Sequence, residues 1–80
     1  MEDTIVLFGI VPVVNENSFV CKNENGRHYY KHKKYMSEER LVFDSEDAAL
    51  NYIDKYLSDK VYRTQLFICD NKENLPFKIL

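Results

Sequence analysis

An apolar run from Ile5 to Val14 constrains the fold more than any other feature of this chain. It is rich in β-branched residues and shows no helical period, so it predicts a β-strand that bends at Gly9 and ends near Pro12. Apolar residues occupy both sets of alternating positions. Such a strand has no face suited to water, and we therefore expect the rest of the fold to cover both of its faces.

A β-hairpin is predicted next, because the pair Asn25-Gly26 separates two strand-like segments, from Ser18 to Lys22 and from Arg27 to His32. Asn-Gly between two such segments is the strongest short-range hairpin signal in a sequence. If these two residues alone form the loop, the register follows from the loop length. It then pairs Glu24 with Arg27, Lys22 with Tyr29, Cys21 with Tyr30, and Phe19 with His32.

This two-residue register sorts the hairpin side chains into an apolar face and a basic face. The apolar face would hold Phe19, Cys21 and Tyr30, and the other face would hold Lys22, Arg27, Tyr29 and Lys31. A three-residue loop with a bulge at Gly26 would shift the pairing and move residues across the faces. The two-residue loop is the register that we predict.

An amphipathic helix follows a short strand from Leu41 to Phe43. Ser45 or Asp44 can cap its first turn, acidic residues suit its positive end, and it should end near Asp59-Lys60. The apolar residues that recur at helical spacing are Ala49, Leu50, Ile53, Tyr56 and Leu57. We expect this stripe to face the core, and the polar residues Asp47, Asn51, Asp54, Lys55 and Ser58 to face water.

The remaining apolar segments complete an antiparallel sheet. A strand is predicted from Val61 to Cys69, and alternating apolar residues from Leu75 to Leu80 form a further candidate strand, or else a docking segment for a partner's sheet edge. The predicted fold is α+β: a sheet of five or six strands, in the order β-β-β-β-α-β with an optional last strand, and one helix packed on one face. A chain of 80 residues has room for a single domain, 1–80.

Composition and cysteine content indicate the compartment. The longest apolar run is half the length of a membrane-spanning helix, and Glu2 and Asp3 precede it where a signal peptide carries cations. Cys21 and Cys69 are too few for a disulfide framework and lie in apolar stretches, so we expect both to be unpaired. These features predict a cytoplasmic protein that makes no contact with a membrane.

A segment rich in cations and aromatic rings, from Arg27 to Tyr35, is the main candidate for a contact surface. It holds four cations and no acid, so the other residues sum to −6 within the net charge of −2. The predicted contact residues are Lys22, Arg27, Tyr29, Lys31, Lys33, Lys34 and Tyr35. An acidic protein or a nucleic acid would be attracted to such a local positive field. The alternative is a solvated face whose lysines are balanced by Glu38, Glu39 and the acids of the helix.

The patterns that would indicate a metal site or an enzyme are incomplete. His28 and His32 share a strand face but lie about 13 Å apart along it. Cys21 lies diagonally between them in the two-residue register, but a fourth ligand is missing, so neither a metal nor another cofactor is predicted. The sequence also shows no positioned acid, no Gly-rich phosphate loop and no paired carboxylates. We therefore predict that the protein is not an enzyme.

The order of hairpin, strand and helix, with the helix entry Phe43-Asp44-Ser45-Glu46-Asp47-Ala48, resembles a module of tyrosine recombinases. That module is a small three-stranded sheet with a helix at the start of those proteins, and it contacts DNA with the sheet. The likeness covers about Ser18 to Leu57 and implies a DNA-contacting sheet. The long first strand, the strand after the helix and the acidic total depart from the pattern, so the chain is not assigned to this family.

Two functions follow as expectations. The first is a non-enzymatic protein-binding module, for example an accessory or inhibitor protein of a phage or mobile element, since the chain is small and shows no catalytic constellation. A second copy of the chain is a further candidate partner. The alternative is a nucleic-acid-binding module that uses the segment from Arg27 to Tyr35.

Overall fold

The computed structural model describes residues 5–35, 37–69 and 79–80. Its elements are β1 (Ile5–Pro12), β2 (Ser18–Lys22), β3 (His28–His32), β4 (Val42–Phe43), α1 (Glu46–Tyr56) and β5 (Tyr62–Cys69). This is the predicted α+β order, with one helix and antiparallel strands in the described part of the chain. The candidate strand from Leu75 to Leu80 lies almost wholly outside the described residues, apart from a parallel bridge between Ile79 and Val42.

The strands form two sheets, so the prediction of one sheet with five or six strands is wrong. β4, β1 and β5 form a three-stranded sheet in that order, and β2 pairs with β3 in a second sheet. Residues 39–43 connect the two. The Leu41 N–H donates to the Val20 carbonyl in β2, whereas Val42 and Phe43 pair with β1. One extended segment thus changes partners part-way along, and the sheet divides at that point.

β1 is buried on both faces only in its second half. Ile10 joins the core cluster beneath α1, and Val11 packs on the opposite face with Phe19 and Cys21. This half confirms the expectation from the doubly apolar pattern. Near the start of the strand, however, Val6 is 47% exposed.

The hairpin has a three-residue loop, so the predicted two-residue register is wrong. Lys22 pairs with His28, and the loop consists of Glu24, Asn25 and Gly26. Gly26 adopts the left-handed conformation, with φ 84°. The side-chain oxygen of Asn23 accepts hydrogen bonds from the N–H groups of Asn25 and Arg27, each at 2.9 Å. These bonds stabilise the longer loop, and Asn25 lies outside the left-handed region that a two-residue type I′ turn requires of both loop residues.

The shifted register reassigns the hairpin side chains to new faces. Tyr29 now lies opposite Cys21, and Lys31 lies opposite Phe19. Because opposed residues point to the same side of a sheet, these four side chains share the face of Val11. The other face, which is directed toward α1, carries Ser18, Val20, Lys22, His28, Tyr30 and His32.

α1 begins where predicted and buries a narrower stripe than predicted. Its N-cap is Ser45, whose hydroxyl accepts a hydrogen bond from the Ala48 N–H at 3.2 Å. Ala49 and Ile53 are buried, as expected, and the predicted polar face is exposed. The helix ends at Tyr56, which is earlier than predicted. No helix in the described residues is long and apolar enough to cross a membrane.

Two members of the predicted apolar stripe, Leu50 and Tyr56, face solvent instead. Leu50 is 45% exposed, and Tyr56 is exposed as well. Tyr56, the last residue of α1, lies beside the Tyr52 ring, with 4.8 Å between the ring centres. Leu50 is exposed because Tyr52 packs against the core with its ring 5.4 Å from that of Phe43. This contact rotates the buried side of α1 toward Tyr52 and away from Leu50.

Candidate functional site

The predicted contact residues do not form one surface. Lys22 lies on the hairpin face toward α1, whereas Tyr29 and Lys31 lie on the opposite face, as the shifted register requires. Arg27 follows the loop at one end of the hairpin. Lys33, Lys34 and Tyr35 lie in the turn that follows β3 at the other end, where all three are exposed. The structure therefore distributes the predicted set over two faces and two ends.

The hairpin cations form no salt bridge with the acids that were expected to balance them. Within residues 5–35, 37–69 and 79–80, the ion pair that forms is Arg63 with Glu16, at 3.1 Å. Of the cations, Lys22, Arg27, Lys33 and Lys34 are exposed and Lys31 is half-buried. None of these five cations therefore forms an ion pair with a described acid.

Tyr29 is held in place by the segment that follows the hairpin. Its hydroxyl donates a hydrogen bond to the Glu39 carboxylate, and this bond raises the pKa of Tyr29 to about 12. The side chain is half-buried. Tyr29 is consequently a fixed aromatic group that helps to attach β3 to residues 37–40.

Cys21, opposite Tyr29, is a free and fully buried cysteine. Burial raises the pKa of its thiol, which makes the nucleophilic thiolate scarce. These properties agree with the expected structural role of Cys21. The side chain of Cys69 lies outside the described part of the structure.

Two ring-to-ring contacts attach the hairpin to the rest of the fold on the α1 side. The His28 Nε2 atom lies 2.8 Å from the Tyr52 hydroxyl, and the hydroxyls of Tyr30 and Tyr62 are also 2.8 Å apart. Both pairs of rings meet edge to face. The hydrogen bond with Tyr30 raises the pKa of Tyr62 to about 12. Burial lowers the pKa of His28, and the nearby charge of Lys22 lowers it further.

Exposed tyrosines with a neighbouring lysine occur at two places. In the turn after β3, the Lys34 ammonium lies 5.3 Å from the centre of the Tyr35 ring. On α1, the Lys55 ammonium lies 5.3 Å from the centre of the Tyr56 ring. Both rings are exposed. The second pair was missed because the helical spacing assigned Tyr56 to the core.

Arg40 makes a contact that sequence reasoning also missed. Its guanidinium carbon lies 4.3 Å from the centre of the Phe19 ring and 4.4 Å from that of Phe67, so it is sandwiched between them. Gly9 leaves space for this arrangement, since a Cβ atom there would lie 3.2 Å from an Arg40 side-chain nitrogen. The sandwich joins β2 to β5 across the face of β1.

A shallow cavity of about 300 Å³ lies between the loop end of the hairpin and the segment before β4. Its lining residues are Lys22, Asn23, Glu24, Glu38, Glu39, Arg40, Leu41 and Leu80. Three acidic and two basic residues contribute to this lining. Its charge is therefore mixed, in contrast to the turn at residues 33–35, which carries only cations.

The structure separates the residues that were considered as metal ligands. The three-residue loop places Cys21 on the face opposite to His28 and His32, so the diagonal arrangement in the predicted register does not form. Among the described residues, no three His, Cys, Asp or Glu side chains gather closely enough to hold a metal ion.

The comparisons with known proteins add no relative to this description. No family model, no curated protein and no solved structure matches the chain. The resemblance to the tyrosine recombinase module accordingly has no support beyond the helix-entry pattern.

Proposed function

We propose that the chain is a non-enzymatic protein-binding module whose hairpin contacts an acidic surface of a partner protein. The observation that carries this proposal is the lack of salt bridges to the hairpin cations within the described part of the chain. An accessory or inhibitor protein of a phage or mobile element would have this kind of function. Such a protein acts by covering a surface of its target.

The turn after β3 is the best placed of the hairpin surfaces to make this contact. Lys33, Lys34 and Tyr35 are consecutive and exposed, and the Lys34 ammonium lies over the Tyr35 ring. A tyrosine supplies a rigid area of contact, and the adjacent cations attract an acidic surface. Because the chain as a whole carries −2, this local positive field also orients the module as it approaches its partner.

The test is capture of partners from the source cell, followed by affinity measurements with the identified protein. Replacing Lys33 and Lys34 with Glu should weaken binding at least tenfold, which corresponds to about 1.4 kcal/mol. Lys55→Glu/Lys60→Glu is the matched control, because both are exposed lysines outside the hairpin and the change in net charge is the same. Unchanged affinity in the folded Lys33→Glu/Lys34→Glu variant would overturn the assignment of this surface.

Nucleic acid is the second candidate partner, since exposed tyrosines beside lysines also suit base stacking and phosphate contacts. The negative total charge argues against it, because dedicated nucleic-acid binders are usually basic. Titration of single-stranded and duplex oligonucleotides at several salt concentrations separates the two functions. Affinity that falls steeply with salt, and is lost in the same double variant, would favour nucleic acid.

A further inference from the structure

β5 forms an edge of the three-stranded sheet. β1 pairs with one side of β5 along all eight residues, and no described residue pairs as a strand with its other side. Proteins usually block such edges with Pro, a bulge or charged side chains. From Thr64 to Cys69, β5 contains none of these devices.

The direction of the backbone groups on this edge follows from the hydrogen bonds of β4. The Leu80 N–H donates to the Val42 carbonyl at 2.7 Å, so the polar groups of Val42 point away from β1. Successive residues in an antiparallel strand point to opposite sides, and Phe43 therefore bonds with its partner Phe8. The polar groups of Phe8 then point toward β4. Those of Leu66, which lies opposite Phe8 on β5, must point to the outer edge.

The same alternation gives the edge three outward-directed residues, Thr64, Leu66 and Ile68. Two of them carry exposed apolar side chains on the α1 face of the sheet. Leu66 is 56% exposed and Ile68 is 60% exposed. Val6 lies opposite Ile68 on the same face and extends the exposed apolar area onto β1. Backbone groups that no described strand pairs with and an apolar patch thus coincide at one end of the sheet.

We propose that β5 pairs with β5 of a second copy of the chain, so that two three-stranded sheets become one six-stranded antiparallel sheet. The two-fold axis passes beside Leu66. This register opposes Leu66 to its own copy and Thr64 to Ile68 of the other copy, and it pairs residues 63–69 throughout. Outward-directed residues then meet outward-directed residues, as an antiparallel ladder requires.

Charge favours a second copy over other strands that could bind this edge. The segment from Thr64 to Cys69 is uncharged. The charged side chains of a charged partner strand would find no opposite charge there and would lose hydration, which costs free energy. The same segment of a second copy is equally uncharged. The single cation in the paired stretch, Arg63, would lie opposite Cys69 rather than opposite a like charge. The inference goes beyond the proposed function and does not involve the hairpin cations.

The first test is the mass of the protein in solution, measured by sedimentation equilibrium over a dilution series. We expect a dimer that dissociates on dilution, and a monomer in Leu66→Lys, because a charge on the edge prevents strand pairing. Val14→Lys is the control, since Val14 is 90% exposed in the turn after β1, and it should remain dimeric. A monomeric wild-type protein at every concentration would overturn the proposal.

Cysteine cross-linking in a Cys69→Ser background tests the register and does not depend on the lysine variant. In the proposed dimer the Cα atoms of the two Leu66 residues lie about 5.5 Å apart, within the range that a disulfide spans. The two Ile68 residues lie about 13 Å apart along the strands. Leu66→Cys should therefore form a covalent dimer on oxidation, whereas Ile68→Cys, at a similarly exposed position, should not. Equal cross-linking of the two variants would indicate random collision and overturn the register.

Discussion

Replacing Arg40 with alanine should lower the free energy of unfolding by about 2–4 kcal/mol. The guanidinium lies 4.3 Å and 4.4 Å from the centres of two phenylalanine rings, both well within the range of a cation–π contact. Each contact contributes about 1–2 kcal/mol when partly desolvated, and the Arg40 Nε atom is buried. The whole domain should be stable by only about 4–12 kcal/mol, so this loss is a large share of the total.

Urea denaturation of four proteins separates the ring contact from other effects of the truncation. The set is wild type, Arg40→Ala, Phe67→Leu and the double variant. Their double-mutant cycle should give a coupling free energy of about 1–2 kcal/mol between Arg40 and Phe67. Additive effects, with a coupling below about 0.5 kcal/mol, would refute the stacking argument.

Three further predictions follow from the packing and from the shifted pKa values. Ile53→Ala should cost about 2–5 kcal/mol in a thermal or urea melt and Leu50→Ala far less, because Ile53 is buried and Leu50 is not; equal losses would contradict the observed helix rotation. The pKa of His28 is lowered in the folded state, so the unfolded chain binds the proton more readily, and stability should fall as the pH drops below about 6.5. His28→Gln should reduce that fall in urea midpoints measured on either side of this pH. Glu39→Gln should move the pKa of Tyr29 from about 12 toward its ordinary value, as followed by the absorbance of tyrosinate.

Local signals in the sequence were sufficient for the order and type of the elements. Ser45 predicts the start of α1 because a capping hydroxyl bonds to an N–H group within the first turn. The hairpin was also found from a local signal, Asn25-Gly26, but its register was not. Hydrogen bonds to the side-chain oxygen of Asn23 stabilise the three-residue loop. The Asn-Gly pair itself is compatible with both loop lengths. One residue of difference was enough to move Tyr29 and Lys31 to the other face.

Contacts between distant segments account for what the sequence did not predict. The helical spacing identified an apolar stripe on α1. Which side of that stripe is buried depends on Tyr52, whose ring contacts those of Phe43 and His28. The packing of Arg40 was likewise not predicted, because its ring partners come from β2 and β5. Nothing near residue 40 in the chain shows that two phenylalanine rings will enclose it.

The way the hairpin is attached explains why its cations remain accessible. Its β-ladder is limited to β2 with β3 and the short pairing of β2 with residues 39–41. On the two faces of β3, three polar rings make hydrogen bonds to Tyr52, Tyr62 and Glu39. These bonds are made by the first three residues of β3. Lys33 and Lys34 lie in the turn beyond the other end of β3, and this is where we expect an acidic surface to bind.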